Sequence, residues 1–332
     1  MSEWGCVRPS FMNLHATPAN PVPEGAVAGQ LTTLDGVRVR YARFSPSASR
    51  RGTVCLLPGR ADMIEKYFEV VEELRARGFA VAILDLRGQG GSQRLLTNPR
   101  KGHIRSFDQY QLDLEVLIRE VVLPDCPPPI FALGHSMGAV ILLEAIRQGR
   151  RWFDRIVLTS PMIDLSGNRG HGLVRQLAHL GAMSGLGRIF IPGGGPLAVV
   201  NRPFFGNPST SDLVRYERTA AIVEAAPELG LGSPTIGWSH AAYRVIERLA
   251  DPAYPAAMRQ PMLIVAAGED SVVSLSAIER FATKLRAGAH LIVAGSRHEL
   301  LMEREVFRAQ FWAAFDAFIP GSPLVPGSPF NR

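Results

Sequence analysis

The chain has 332 residues, 46% of them hydrophobic and 20% charged, with a formal net charge of +6. That balance suits a globular protein with a sizeable core and excludes a disordered chain. The only lysines are Lys66, Lys101 and Lys284, and the arginines are scattered without a run of five or six; no nucleic-acid partner is expected, while weak attraction to an anionic lipid surface is compatible with the charge.

Residues 1–30 are rich in Pro, Ala and Asn and are expected as an extended arm. They contain neither a basic n-region nor an apolar h-region, so no signal peptide is expected. LTTLDGVRVRYARF then alternates Val37, Val39 and Tyr41 against Arg38 and Arg40, with Asp35-Gly36 as a turn. This predicts a β-hairpin with one solvated face. TVCLL (53–57) is a short apolar strand. Asp62 and Glu65 have capping-box spacing before a helix whose face is Ile64, Tyr67, Phe68, Val71 and Leu74, closed by Gly78. After the strand AVAIL (80–84), DLRGQGGS carries Gly88 and Gly90 but has Gln93 where a dinucleotide fingerprint needs its third glycine. It reads as a tight turn with Asp85 and Arg87 structural.

Tyr110, Leu114, Leu117 and Val121 predict a helix ending before Pro124. IFAL (130–133), a helix after Ser136, IVLTS (156–160), MLIVA (262–266) and LIVA (291–294) continue the alternation, and an amphipathic helix at 299–318 precedes a flexible Pro/Gly/Ser tail at 320–332. Strands apolar on both faces and separated by helices mean a parallel sheet covered on both sides. Between 162 and 258 the rhythm breaks into apolar helical pieces and glycines. The expected organisation is therefore a core in two parts, 31–161 and 259–319, around a helical insertion at 162–258. No segment reaches the ~18 uninterrupted apolar residues of a membrane span. The odd set Cys6, Cys55 and Cys126, with Cys55 inside a strand pattern, gives no disulfide framework and suggests a reducing compartment. A cytoplasmic protein is expected, with peripheral contact at the inner face of the membrane open to it.

Gly134-His135-Ser136-Met137-Gly138 fits G-x-S-x-G with a strand before it and a helix after it. Such a turn exposes a serine Oγ and aims the helix's first N–H groups at developing negative charge. A serine needs a base, and the base an orienting acid, in that fold on loops after later strands. AGEDSVV follows MLIVA and offers Asp270, with Glu269 read as a solvated neighbour; GSRHEL follows LIVA and offers His298. Asp164, just after IVLTS, is the rival acid, because some hydrolases place it one strand earlier. His290 precedes its expected strand and points away from the site, and His135 is too close to Ser136 to fold back onto it. Histidines 15, 103, 171, 179 and 240 are read as surface or cap residues. No Cys/His spacing suggests a metal, and no cofactor is expected. The second oxyanion donor is expected from Pro58-Gly59-Arg60-Ala61-Asp62, where Gly59 permits an unusual backbone path and the amide of Arg60 pairs with that of Met137.

These residues resemble the serine hydrolase family of monoacylglycerol lipases and bacterial lysophospholipases, over most of 30–318. LLPGRADMIEKYFEVVEELRARGFAVAILDLRGQGGSQRLL and SRHELLMERE look most like the lysophospholipase branch. The resemblance implies an α/β-hydrolase fold with a helical cap at 162–258, Ser136 as nucleophile, Asp270 in GEDSVV as acid and His298 as base. It implies a serine carboxylic-ester hydrolase working through an acyl-enzyme on single-chain lipids, lysophospholipid first and monoacylglycerol second. Many monoacylglycerol lipases have His-Gly where this chain has Pro58-Gly59. A peptidase, a thioesterase and a non-catalytic receptor are the other readings of the same scaffold. Substrate contacts are expected from Arg60, Phe204, Phe205 and Trp238. The Arg60 guanidinium either holds a phosphate or pairs with Asp62 or Glu65. Leu173, Val174, Leu177, Leu180, Leu197, Val199, Val200, Phe204 and Phe205 either line an acyl tunnel in a mobile cap or pack that cap onto the core.

Overall fold

Strand residues that alternate in direction build two cores on opposite faces of one sheet. The computed structural model describes residues 14–47, 50–167 and 171–320. Its strands are β1 (Ala26–Thr32), β2 (Arg38–Phe44), β3 (Thr53–Leu57), β4 (Ala80–Leu84), β5 (Ile130–His135), β6 (Ile156–Thr159), β7 (Met262–Ala267) and β8 (Gly288–Val293). They form an eight-stranded sheet in the order β1-β2-β4-β3-β5-β6-β7-β8. From β4 to β8 every neighbouring pair is parallel, while β2 runs antiparallel to both β1 and β4. Val54 and Leu56 face α1 (Phe68–Ala76) and α10 (Glu305–Phe318), packing with Phe68, Val71, Leu74, Phe311 and Phe315. Cys55 and Leu57 face the other way, toward α2 (Asp108–Leu117) and α4 (Met137–Arg147), and join Leu114, Val140 and Leu143. This is an α/β-hydrolase fold: a mostly parallel sheet with helices on both faces.

Several elements differ from their sequence patterns. β1 begins at Ala26, inside the segment expected as an arm, and Asn20 Nδ2 donates 2.9 Å to the carbonyl of Glu65. Residues 1–13 of the arm, with Cys6, and the tail beyond 320 lie outside the described residues. The capping box does not form. A 3₁₀ turn at Ile64–Tyr67 starts from Met63 with no side-chain cap, because Glu65 instead holds buried Arg40 through two 2.7 Å bonds. A cap is worth about 1 kcal/mol, and a buried guanidinium left unpaired costs several. The helix expected to stop before Pro124 runs on through a π turn (Ile118–Val122) into α3 (Leu123–Asp125), so Pro124 lies in the last turn of the helical run, just past the π turn. The expected helix from 299 is broken: Leu300–Met302 is a 3₁₀ turn and α10 starts only at Glu305.

Between β6 and β7 lie α5 (His171–Met183), α6 (Leu213–Ala225), α7 (Ile236–Ala250) and α8 (Ala253–Ala257), and α9 (Leu275–Ala282) follows β7. α7 packs Trp238, Ala242, Val245 and Leu249 into the core. α5 rests on α7 through Ala178, against Tyr243 and Ile246. Val174, Leu177 and Leu180 are about half exposed or more and belong to no buried cluster of the core, so they do not pack the insertion onto it as expected. Leu197 is likewise exposed, and Val200 packs beside Ala198 and Ile222. The Leu173 side chain lies outside the described residues.

Candidate active site

The chain leaves β3 for β4 on one side of it and later returns to β5 on the other. A crevice opens at the carboxyl ends of strands where the winding reverses in this way, and loops from β3, β5, β7 and β8 meet there.

Ser136 joins β5 to α4 at φ 51°, ψ −109°, a conformation that an L-residue adopts only under strain. Its amide donates 3.0 Å to Thr159 O, and its carbonyl accepts 3.2 Å from Met162 N, which hold the turn from both sides. The flanking glycines provide space. A Cβ on Gly134 would sit 2.7 Å from Leu142 Cδ1 and 2.9 Å from Ala139, and one on Gly138 would strike the carbonyl oxygen of Leu57. α4 can therefore start directly under the ends of β3 and β5.

His298, on the loop after β8, places Nε2 3.0 Å from Ser136 Oγ and Nδ1 2.7 Å from Asp270 Oδ2. Asp270 Oδ1 accepts from the amides of Val272 (2.8 Å) and Val273 (3.0 Å). Burial would raise this carboxyl's pKa, but the hydrogen bond and charge of His298, with those two amides, outweigh it and hold it below the ordinary value. A carboxylate there accepts a hydrogen bond from Nδ1–H, which leaves Nε2 free to accept from the serine hydroxyl. Asp164 Oδ1 instead accepts from the neighbouring Leu165 amide at 2.9 Å, and Glu269 is exposed. His290 lies within β8 rather than before it, exposed toward the strand's amino end.

Among the described residues the amides of Arg60 and Met137 donate to no internal acceptor. Met137 opens α4, where the first N–H groups have no helical partner. The Arg60 loop is held by Asp62 Oδ2, which accepts from Gly59 N and Tyr67 OH, both at 2.8 Å. Lys66 Nζ joins Asp62 Oδ1 (2.6 Å) to Glu299 Oε2 (2.8 Å), the residue after His298. Burial alone would depress the Lys66 ammonium, but the two carboxylates raise it above its usual value. The unusual backbone falls on Ala61, at φ 67°, and not on Gly59. Gly59 is required for room: a Cβ there would be 2.9 Å from both Asp62 Oδ2 and His135 Cδ2.

His135 and Lys66 belong to the site although the sequence reading gave them no part in it. His135 lies with its ring centroid 5.0 Å from that of His298, and its Nδ1 is 3.2 Å from Thr159 Oγ1. Burial, then the nearby charge of His298, push its pKa down to about 3, so the ring is neutral. The available signals were faint: His135 ends an apolar strand beside the serine, and Lys66 is a lysine in an arginine-rich chain.

Of the expected substrate contacts, Arg60 and Trp238 are brought together. The guanidinium lies 5.3 Å over the Trp238 ring, whose Nε1 donates 3.1 Å to Tyr110 OH. Phe204 instead meets Tyr216 edge to face, with centroids 5.3 Å apart, and Phe205 is 97% exposed. Arg60 pairs with neither Asp62 nor Glu65, whose carboxylates are taken by Lys66 and Arg40. The Gly88–Gly90 segment is a turn around Asp85, which accepts from Gly91 N (2.7 Å), Arg40 Nε (2.7 Å) and Ile64 N (2.9 Å). Among the described residues there is no group of three or more His, Cys, Asp or Glu able to hold a metal ion.

Residues 48–305 match the family model described as serine aminopeptidase, S33. Lysophospholipase L2 of Escherichia coli (strain K12) is 30% identical over 292 residues, covering 84% of this chain and 83% of that protein. The monoacylglycerol lipase of Mycolicibacterium smegmatis is 25% identical over 81% of this chain and 89% of its own. Among solved structures, a soluble variant of Saccharomyces cerevisiae monoglyceride lipase in complex with a substrate analog superposes with a TM-score of 0.71 at 20% identity, over 95% of this chain and 100% of that one.

Proposed function

The chain belongs to the serine aminopeptidase S33 family, and from that footing we propose that it is a serine carboxylic-ester hydrolase of single-chain lipids, a lysophospholipase first and a monoacylglycerol lipase second. The observation that carries the reading is the continuous relay Ser136 Oγ–His298 Nε2 (3.0 Å) and His298 Nδ1–Asp270 Oδ2 (2.7 Å). Ser136 Oγ attacks the ester carbonyl while His298 Nε2 takes its proton. The imidazolium passes that proton to the leaving glycerol oxygen, and an acyl-serine remains. Water then attacks the acyl group, with His298 again as base, and fatty acid leaves. The amides of Arg60 and Met137 receive the oxyanion in both steps. Asp270 fixes the imidazole and stabilises its cation.

The relatives' names supply the substrate class, and the site supplies a reason to prefer an ester over a peptide. An aminopeptidase must seat its substrate's ammonium beside the nucleophile. Here the side chain on the oxyanion loop is a cation, and the carboxylates of Asp62 and Glu299 are held by Lys66. Residues 162–258 serve in this proposal as the cap. Ser136 is 8% exposed and His298 6%, so a long acyl chain enters when that segment shifts. A cytoplasmic location with peripheral attraction to anionic membrane completes the reading, supported by the net charge of +6 and the free thiol of Cys55. No helix among the described residues is long and apolar enough to cross a membrane.

A fluorophosphonate should label wild type at Ser136 and leave Ser136→Ala unlabelled. A panel of lysophospholipids, monoacylglycerols, thioesters and aminoacyl amides should show lysophospholipid turned over with the highest kcat/KM. Labelling of the alanine variant, or a preference for aminoacyl amides, would overturn the proposal.

A further inference from the structure

The side chain of Arg60 has an unusual setting for a guanidinium. Its Nη2 donates 2.5 Å to the carbonyl of Gly232, while its Nε is buried with no acceptor. No carboxylate among the described residues pairs with it; the ionisable groups that bear on it are the Tyr110 phenol and a second cation, Arg202. Burial, helped by Arg202, lowers its pKa to about 10, so it stays cationic at neutral pH. A half-buried cation without a counter-charge is costly, and nearby carboxylates that could relieve it are committed elsewhere.

Its position is fixed from several sides. The ring of Trp238 lies beneath it, and that ring is anchored to Tyr110. Gly102 allows it close approach, since a Cβ there would stand 2.7 Å from Nη2. Further arginines border the same stretch of the insertion. Arg94 donates 3.4 Å to Gly230 O, and Arg100 lies against Gly230 with its buried Nη1 unpartnered. The chain thus gathers guanidinium groups around Gly230–Gly232, next to the loop after β3 that carries Arg60.

We propose that Arg60 is the anion receptor of this site and binds the phosphate of a phosphate-bearing glycerol ester while its own amide receives the oxyanion. The inference rests on the ester-hydrolase reading above and names its head group. In a lysophospholipid only the glycerol backbone separates the ester from the phosphate, so one residue reaches both through its two ends. Once the insertion shifts to admit the lipid, a planar guanidinium whose Nε lacks an acceptor offers the phosphate a directed hydrogen bond as well as charge. An uncharged monoacylglycerol offers that donor only a neutral hydroxyl oxygen, a weaker acceptor that brings no counter-charge. The site then discriminates by leaving a half-buried cation uncompensated when the phosphate is missing.

The test is the ratio of kcat/KM for a lysophosphatidylglycerol to that for the monoacylglycerol with the same acyl chain. Arg60→Ala should lower this ratio 10–100-fold, the size expected for a charge-assisted hydrogen bond, and Arg60→Lys should restore part of it. A ratio unchanged in Arg60→Ala, whatever happens to the two rates, means that the side chain only ties the loop to Gly232, and overturns the proposal. A second readout does not depend on lipid turnover. sn-Glycerol 3-phosphate should competitively inhibit hydrolysis of p-nitrophenyl butyrate by wild type, with a Ki raised at least tenfold in Arg60→Ala. Equal Ki values in the two proteins also overturn it. If inorganic phosphate inhibits as well as the glycerol ester, the seat recognises phosphate alone and the proposed tie to the glycerol backbone falls. Should neither lipid be hydrolysed by wild type, the substrate reading of the preceding section fails, while the inhibition experiment still decides Arg60.

Discussion

At the scale of single residues, function depends on which carboxylate meets His298. Asp270 lies 2.7 Å from Nδ1, whereas Asp164 is turned to its own neighbour's amide. Asp270→Asn should therefore lose about 10⁴ in kcat through the wrong imidazole tautomer, while Asp164→Asn stays within a few-fold of wild type; steady-state ester hydrolysis separates them, and the opposite pattern would move the acid one strand earlier. His135 carries a different consequence. Its folded pKa of about 3 lies below the ordinary 6.5, so the unfolded chain binds a proton that the native site refuses. The stability it contributes is complete above pH 6.5 and is lost as pH falls toward 3, by up to about 1.4 kcal/mol per pH unit. Urea unfolding between pH 7 and pH 4 should show that slope in wild type and a flatter one in His135→Asn; parallel slopes would mean that His135 is not buried in its neutral form. Ser136, Asp270 and His298 were legible in the sequence because their chemistry demands those residue types after strands. His135 was not, since burial is what makes it neutral.

At the scale of elements, the loop after β3 shows how a local pattern yields to tertiary demand. Asp62 and Glu65 have the spacing of a capping box, yet Asp62 accepts from Gly59, Lys66 and Tyr67, and Glu65 binds Arg40. Two cations arriving from elsewhere in the chain and from the next turn outbid a helix cap. The sequence pattern points to backbone freedom at Gly59, but its real constraint is space. Gly59→Ala should press its methyl into Asp62 and His135, shift the Arg60 amide and cost about 10²–10³ in kcat, the size of one lost oxyanion donor. Burst kinetics with an activated ester would locate that loss in acylation; an unimpaired burst would show that the loop tolerates the methyl.

Across the whole molecule, the insertion between β6 and β7 is held unequally. Its later half is stitched to the His298 loop: Glu299 N donates 2.7 Å to Ser209 O, Thr210 Oγ1 donates 2.8 Å to Met302 O, and Glu303 accepts from Ser211 N at 3.0 Å. Arg215 adds a 2.6 Å ion pair to Glu69 on α1. α5, by contrast, rests on α7 through Ala178 and an exposed Arg175–Glu247 pair, a contact worth about 0–1 kcal/mol. Hydrogen exchange should be fast across 174–197 and slow across 213–225 and 236–250, with lipid slowing the first segment; uniform protection equal to the core strands would mean that the insertion does not open at α5. Alternating apolar strands, the glycine-flanked serine and the order Ser136, Asp270, His298 are properties of neighbours in the chain, so the sequence by itself determined the sheet and the relay. Which carboxylate met which cation, which apolar faces of α5 stayed in water, and that Arg60 came to lie on Trp238 with no carboxylate among the described residues paired to it were decided by tertiary structure. Those outcomes depend on competition among partners distant in sequence, as Arg60 and Gly232 are, and desolvation in the assembled core selects the winner.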